Sequence, residues 1–304
     1  MRKSRIAALA MLLLISVCGC NKPQPEEPTI VTLVSTIEVE NENGTIVEAL
    51  YSDSTRMYFR LLSDTTAEVV SYHDFYDLEH ESAGWVYRGK VTIPEIFSHS
   101  GKDLSVIGIG DNAFGWYMDE YSYYDASLVT EVVLPQTITY IGNVAFYQCN
   151  DLTSVNIPNS VTFIGQSAFA RTGLTSVEIP SSMTEILYGC FAVCEHMTSV
   201  KLPNTIVHIG DGAFADCTSL NNFEIPESVE FLGNYVFLRS NMLKTLVCRP
   251  TTPPAKMVYG IPSEGPIYLS DSIQIETIYV PMESVVEYKN DSVWQVYSDI
   301  ITGL

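Results

Sequence analysis

One interval of about 23 residues governs the middle of the chain. Pro135, Pro158, Pro180, Pro203 and Pro226 are separated by 23, 22, 23 and 23 residues, and Phe146, Phe169, Phe191, Phe214 and Phe237 keep the same steps. Two unrelated residue types on one rhythm mark repeated copies of a single supersecondary unit. Set on the proline, LTSVNIPNSVTFIGQSAFARTG (152–173) matches MTSVKLPNTIVHIGDGAFADCTS (197–219) with apolar residues in register. Val132, Val155, Val177, Val200 and Phe223 form one apolar column, and Leu134, Ile157, Ile179, Leu202 and Ile225 form the next.

The alternation of apolar and polar residues before each proline has the period of a half-buried strand. Proline has no N–H to give to a ladder, so each strand stops there and the chain turns out of the sheet. A second apolar set, Val161 and Ile164 or Ile206 and Ile209, leads into Gly165 or Gly210, where glycine permits a tight bend. The Ala168 and Phe169 pair that follows, like Ala213 and Phe214, is expected on a helical or 3₁₀ turn with the ring pointing inward as a plug. The few apolar side chains of one coil cannot offset the entropy of ordering all its residues. The coils must therefore stack, pairing their strands in parallel around one continuous core, with a cap needed at each end.

These units resemble the leucine-rich repeats of BspA-type surface lipoproteins of the Bacteroides group, over at least residues 128–250. GKVTIPEIFSHSGKDLSVIGIGDNAF (89–114) is similar to the N-terminal module of that family, and residues 275–304 to its closing cap. There Ile275, Ile278 and Val280 repeat the strand columns ahead of Pro281, and an amphipathic helix is expected around Val285 to Tyr297. The fold class expected is β-rich α/β: a leucine-rich-repeat solenoid of short parallel strands and short helical turns, with an N-terminal β capping module and a C-terminal helical cap. Residues 1–19 then form a lipoprotein signal peptide, 20–46 a tether and the start of the N-terminal module, and 47–127 that module. Residues 128–250 hold about five full coils, and 251–304 an irregular last coil and the cap. Leu187 replaces the bend glycine of the third coil and Cys190 its alanine, so a local distortion is expected there. The asparagine ladder of the commoner leucine-rich consensus is not expected, because proline comes at the strand end instead.

Arg2, Lys3 and Arg5 precede a twelve-residue apolar run from Ile6 to Val17, too short to cross a bilayer as a helix and in keeping with an export signal. Val17, Cys18, Gly19 and Cys20 resemble the lipobox of bacterial lipoproteins, which implies lipidation at Cys20. Asn21, rather than aspartate, follows and by the same resemblance argues for transfer to the outer membrane. NKPQPEEP (21–28), with three prolines and no apolar side chain, makes a stiff spacer. Cleavage removes three of the 16 basic residues and none of the 36 acidic ones, taking the formal charge from −20 to −23. Such a surface repels a phosphate backbone, which excludes general nucleic-acid binding.

A search for catalytic chemistry finds little. Cys149, Cys190, Cys194, Cys217 and Cys248 remain after processing, an odd number. Cys149, Cys194 and Cys217 share one column, three positions after the plug phenylalanine, which suits small buried side chains. On adjacent coils, Cys194 and Cys217 are also close enough for a disulfide. Cys190 and Cys194 lack the second pair or the histidines that zinc needs. His73, His80, His99, His196 and His208 are scattered, with His196 and His208 at outward positions. Asp151, Asp211 and Asp216 lack the spacing of calcium-binding coils. No catalytic residue, cofactor or metal is expected.

Binding information should lie where the repeat does not dictate the residue. The step from Phe114 to Phe146 is 32 residues, and its excess carries GWYMDEYSYYDAS. Trp116, Tyr117, Tyr121, Tyr123 and Tyr124 stand there among Asp119, Glu120 and Asp125, a mixture suited to stacking on a glycan or gripping a cationic protein. It also suits a loop folded onto the array's edge. The second candidate is the outward strand column, Val133, Asn156, Glu178, Lys201, Glu224 and Tyr279, which with Thr153, Thr175 and Thr198 is expected to form one continuous sheet face. That column is chemically mixed, so an ordinary solvated face accounts for it as well. Residues 72–85, also aromatic and acidic, are expected as a turn or hairpin insertion. The resemblance implies a lipid-anchored, surface-exposed, non-catalytic protein that presents its array to a host or bacterial protein, as in adhesion. The alternative is a glycan-capture lipoprotein of a nutrient uptake system, motivated by the aromatic loop.

Overall fold

The computed structural model describes residues 33–41, 44–51, 56–71, 87–115, 128–258, 260–263, 267–270 and 275–304. The signal and lipidation segment, the aromatic loop of 116–127 and residues 72–85 lie outside them.

The chain begins with an antiparallel meander, β1 (Leu33–Asn41), β2 (Gly44–Tyr51), β3 (Arg56–Leu61) and β4 (Thr66–Val70). Next come β5 (Arg88–Thr92), β6 (Ile96–His99) and β7 (Lys102–Ile109), with β6 and β7 paired as a hairpin. From there each coil supplies one strand before its proline and a shorter one before its bend. These are β8 (Leu128–Val133) and β9 (Tyr140–Ile141), β10 (Ser154–Asn156) and β11 (Phe163–Ile164), and β12 (Ser176–Glu178) and β13 (Glu185–Ile186). The series continues with β14 (Ser199–Lys201) and β15 (His208–Ile209), β16 (Asn222–Ile225) and β17 (Phe231–Leu232), and β18 (Thr245–Cys248) and β19 (Ala255–Val258). After β20 (Ile261–Pro262) and β21 (Thr277–Val280), a short helix α1 (Val285–Asn290) precedes β22 (Ile301–Gly303).

Corresponding strands of neighbouring coils pair in parallel, Val155 against Val132 and Val200 against Val177, so the column read from the sequence is the register of the sheet. The second strands pair likewise, Ile164 with Ile141 and Ile209 with Ile186. The meander is continuous with this second ladder, since β4 pairs β7 and β7 pairs β9. Residues 88–115 are thus a further coil ahead of the five marked by prolines, with β5 paired to β8 and Phe114 stacked on Phe146. This is a leucine-rich repeat fold, rich in strands, mostly parallel across its coils and poor in helix.

Phenylalanines run through its centre. Phe114, Phe146, Phe169, Phe191, Phe214 and Phe237 stack with centroid separations of 4.9, 5.1, 5.5, 5.6 and 6.3 Å and interplanar angles of at most 19°. The turn carrying each ring is a third, hydrogen-bonded side of the coil and not a helix. Phe146, Phe169, Phe191 and Phe214 donate their N–H groups to Ala168, Cys190, Ala213 and Val236 of the following coil. To aim alternate amides at the next coil, the turn places two residues in the left-handed region. One is Val144, Ser167, Gly189, Gly212 or Tyr235, and the other Gln148, Arg171, Val193, Asp216 or Arg239, all at φ between 49° and 62°.

The expected distortion at the third coil is present and has two causes. The second coil is one residue short after its plug, ending Ala170, Arg171, Thr172, Gly173 where others have five residues. A Cβ on Gly165 would sit 2.4 Å from the amide nitrogen of Asn143, and one on Gly233 2.3 Å from that of Asp211, so regular bends touch backbone to backbone. Leu187 cannot approach so closely. Among the described residues no strand pairing joins β10 to β12 or β11 to β13, while the turn-side bonds from Ser167, Phe169 and Arg171 to Tyr188, Cys190 and Ala192 stay intact. The first-strand ladder opens again between β14 and β16. The sheet face expected to be continuous is therefore in three pieces. Val155 and Ile157 beside the first break, and Val200 and Leu202 beside the second, are only half-buried where their counterparts are buried.

The helix expected over Val285 to Tyr297 is shorter. It ends at Asn290, because the Asp291 carboxylate accepts the N–H groups of Val293 and Trp294 at 2.7 and 3.1 Å and starts a new turn. The segment still covers apolar surface, with Trp294 and Tyr288 fully buried and bonded to the carbonyls of Pro254 and Pro250.

Candidate functional site

The residues singled out on the strand face are largely engaged with one another. The Asn156 side chain accepts the N–H of Leu134 at 2.8 Å and donates to its carbonyl at 3.0 Å, replacing a strand partner just before Pro135. Glu178 and Lys201 pair across coils at 2.5 Å, and Glu224 pairs with Arg249 at 2.8 Å. Thr153 and Thr198 bond the carbonyls of Thr130 and Thr175. Tyr279 sits half-buried in β21 between Val247 and Thr302. The eight residues of the aromatic loop, Trp116 to Asp125, lie outside the described residues, as does Cys20.

Cys194 and Cys217 remain thiols, and with Cys149 they are the small buried side chains expected of their column. Cys149, Cys194, Cys217 and Ser240 each donate to the carbonyl of a plug phenylalanine in the coil before their own, Phe114, Phe169, Phe191 and Phe214 in stacked order along the column. The column is thus a row of S–H and O–H donors, completed in the short second coil by Thr172, which bonds Phe169 and the Cys194 sulfur. Burial pushes the Cys194 thiol up to about 11 and those of Cys190 and Cys248 higher. His208 is not a solvated outward side chain: it is 15% exposed and stands 3.6 Å from Glu185. His196 is exposed as expected.

A ladder of a different kind stands at the bend. After the bend, side-chain oxygens link equivalent positions of successive coils: Asp111 accepts the N–H of Asn143, Asn143 that of Gln166, Asp211 that of Asn234, and Asn234 that of Tyr268. A ladder of mixed acids and amides exists, displaced from the strand to the bend, and Tyr188 stands at the column position where it is interrupted.

Around Tyr188 the turn side carries a groove that the sequence did not disclose. Two cavities of about 430 and 400 Å³ adjoin, with Tyr188 and Asp211 lining both. Small residues line the larger, Ala170, Ala192 and Ala215, with Gly189 and Gly212 at left-handed positions. Tyr147, Tyr188 and Tyr235 also line it, together with Arg171, Asn234 and Val258 of β19. The smaller cavity adds Gln166, Glu185 and His208. Tyr188 and Tyr235 keep 46% and 43% of their surface exposed, and Tyr235 stacks on the equally exposed Tyr268 at 6.1 Å. These residues come from six coils and several columns, so no local motif announces them. The one available signal is Tyr188 beside Leu187, where the repeat otherwise has a glycine followed by an acid or amide.

Among the described residues no cluster of three or more His, Cys, Asp or Glu could hold a metal, and no helix is long and apolar enough to cross a membrane.

Comparison with known proteins bears on the repeat. The BspA type leucine rich repeat region matches residues 117–244 in six copies. A leucine rich repeat protein from T. pallidum has a similar fold, with a TM-score of 0.50 and 22% identity over 71% of this chain and 87% of that one. A leucine-rich repeat protein from Bacteroides ovatus aligns at a TM-score of 0.44 and 21% identity, over 81% of this chain and 66% of that one. A leucine rich cell surface protein from Faecalibacterium prausnitzii aligns at 0.38 and 18%, over 82% and 90%. No curated protein matches the chain. None of these matches points to an enzymatic family. The 23-residue register, the stacked phenylalanines and the six matched copies agree, and residues 117–244 are similar throughout to the BspA type leucine rich repeat region.

Proposed function

We propose that this protein is a non-catalytic recognition scaffold of the cell envelope, tethered by a lipid on Cys20 and presenting its repeat array as a solenoid to another protein. The observation that carries the reading is the array itself. Identical inward columns fix the backbone of each coil, and outward positions vary freely, the arrangement by which repeat proteins build extended protein-binding surfaces. In this reading residues 20–46 are the spacer from the membrane and the start of the N-terminal module, residues 47–127 the rest of that module with the first coil of 88–115, residues 128–250 the recognition array and residues 251–304 its far cap. Partner contacts are assigned to the aromatic loop (Trp116, Tyr117, Asp119, Glu120, Tyr121, Tyr123, Tyr124, Asp125) and to the outward column of Asn156, Glu178, Lys201, Glu224 and Tyr279. The ion pairs along that column do not disqualify it, since exposed pairs are weak and exchange readily for partner contacts.

Two measurements test the reading. Radiolabelled palmitate should appear in the protein and vanish in Cys20→Ala. Purified residues 21–304 should bind cells or immobilised surface proteins saturably, and charge reversal at Lys201 and Glu178 together, or Trp116→Ala, should weaken that binding. Absence of saturable protein binding with both faces intact would remove the scaffold assignment.

A further inference from the structure

We infer that the groove around Tyr188 is a carbohydrate site for a neutral oligosaccharide. Its rings stand at the surface and not in the core. At the bend column the side chains of other coils tie one coil to the next, yet Tyr188 and Tyr268 place aromatic rings at the surface there, each more than two-fifths exposed. Tyr235 beside them holds φ at 56°, in a turn position that the two preceding coils fill with Gly189 and Gly212 at 57° and 59° and the first two with Val144 and Ser167. A bulky residue in that region is unfavourable, and its ring is not buried in exchange.

What remains is the ligand chemistry the groove offers. Tyrosine rings line the groove together with alanine and glycine, and Asp211, Asn234, Gln166 and Ser167 add polar groups to its walls. A sugar ring presents the matching surface, an apolar face of C–H groups with hydroxyls at its edge. Among the charged residues that line the two cavities, Arg171 is the one cation beside Asp211 and Glu185, so no positive excess selects an anionic ligand. The surrounding chain is strongly acidic and disfavours acidic glycans. The groove is open and crosses several coils, which suits a segment of a polymer over a single small molecule.

The assignment is independent of the protein-recognition reading, and its test contains no protein partner. The purified full chain is run in native gels containing soluble α-glucan, mixed-linkage β-glucan, galactomannan or xylan, with polygalacturonate as the acidic control. At least one neutral polysaccharide should retard it, and Tyr188→Ala and Tyr235→Gly should each weaken that retardation at least tenfold. Tyr235→Gly adopts the residue its neighbours use, so its thermal melting should not fall, which separates loss of the site from loss of the fold. Retardation by none of the neutral polymers would overturn the proposal. So would retardation that survives both substitutions, is abolished only by Trp116→Ala, or is stronger with polygalacturonate.

Discussion

The strand sides and the turn side of the coils behave differently where the second coil meets the third. Both strand ladders stop at that junction, yet the turn-side amides of Ser167, Phe169 and Arg171 still bond to the next coil and the rings of Phe169 and Phe191 remain parallel at 5.5 Å. One missing residue after the plug and one leucine at the bend are enough to uncouple the strands. They leave the turn side untouched, because its bonds run only between residues 167–171 and 188–192, outside both changes. In this protein the β-strands are the adaptable sides of the coil, and the phenylalanine row with its turn bonds is the constant one.

Perturbations of the two sides should differ in size. The largest effect is expected from Phe191→Ala, which removes a fully buried ring from the middle of the row. We expect a loss of about 3 to 5 kcal/mol in denaturant unfolding. A loss near that of an exposed strand residue would break the comparison. Gly165→Ala should cost about 1 to 3 kcal/mol, because its new Cβ meets the backbone of Asn143 and cannot be accommodated by a rotamer change. Leu187→Ala, at the bend that is already open, should cost less, and the difference between the two reports how tightly regular bends are held.

The donor column sharpens the picture through pH. In the unfolded chain the Cys194 thiol ionises near 9.0, whereas burial holds its proton in the folded protein to about 11. Between those values the unfolded state has released a proton that the folded state keeps, so stability falls as pH rises. The buried thiols of Cys190, Cys217 and Cys248 shift in the same direction. Thermal melts across that window should show the decline, and Cys194→Ser, which copies the hydroxyl that Ser240 supplies in the same column, should show a shallower one. The smallest effect is expected on the strand face: Lys201→Ala breaks an exposed pair with Glu178 and should change stability by no more than about 0.5 kcal/mol.

How much of this was legible follows from which side of the coil a residue occupies. Val155, Val177 and Phe169 could be placed from the sequence because strand alternation and a bulky plug leave a period that survives substitution. The turn side was mostly hidden. Gly189 and Gly212 hint at left-handed backbone, but Val144, Arg171, Val193 and Tyr235 adopt the same φ with no glycine to mark it. The cysteine column was visible as a column, but its role as a row of donors emerges only when Thr172 and Ser240 are seen to fill the same place. The bend ladder was missed because Asp111, Asn143, Asp211 and Asn234 share an oxygen at one reach, not a residue type. The groove was missed because its tyrosines occupy different columns.

The central claim is that the turn side, not the strands, joins the second coil to the third. Native-state hydrogen exchange resolved by residue tests it directly. The amides of Ser167, Phe169 and Arg171 should exchange only through global unfolding. Those of Thr175, Thr184 and Leu187, whose counterparts Thr153, Thr162 and Gly165 bond the preceding coil, should exchange by local opening. Equal protection of the two sets, or faster exchange on the turn side, would contradict the account.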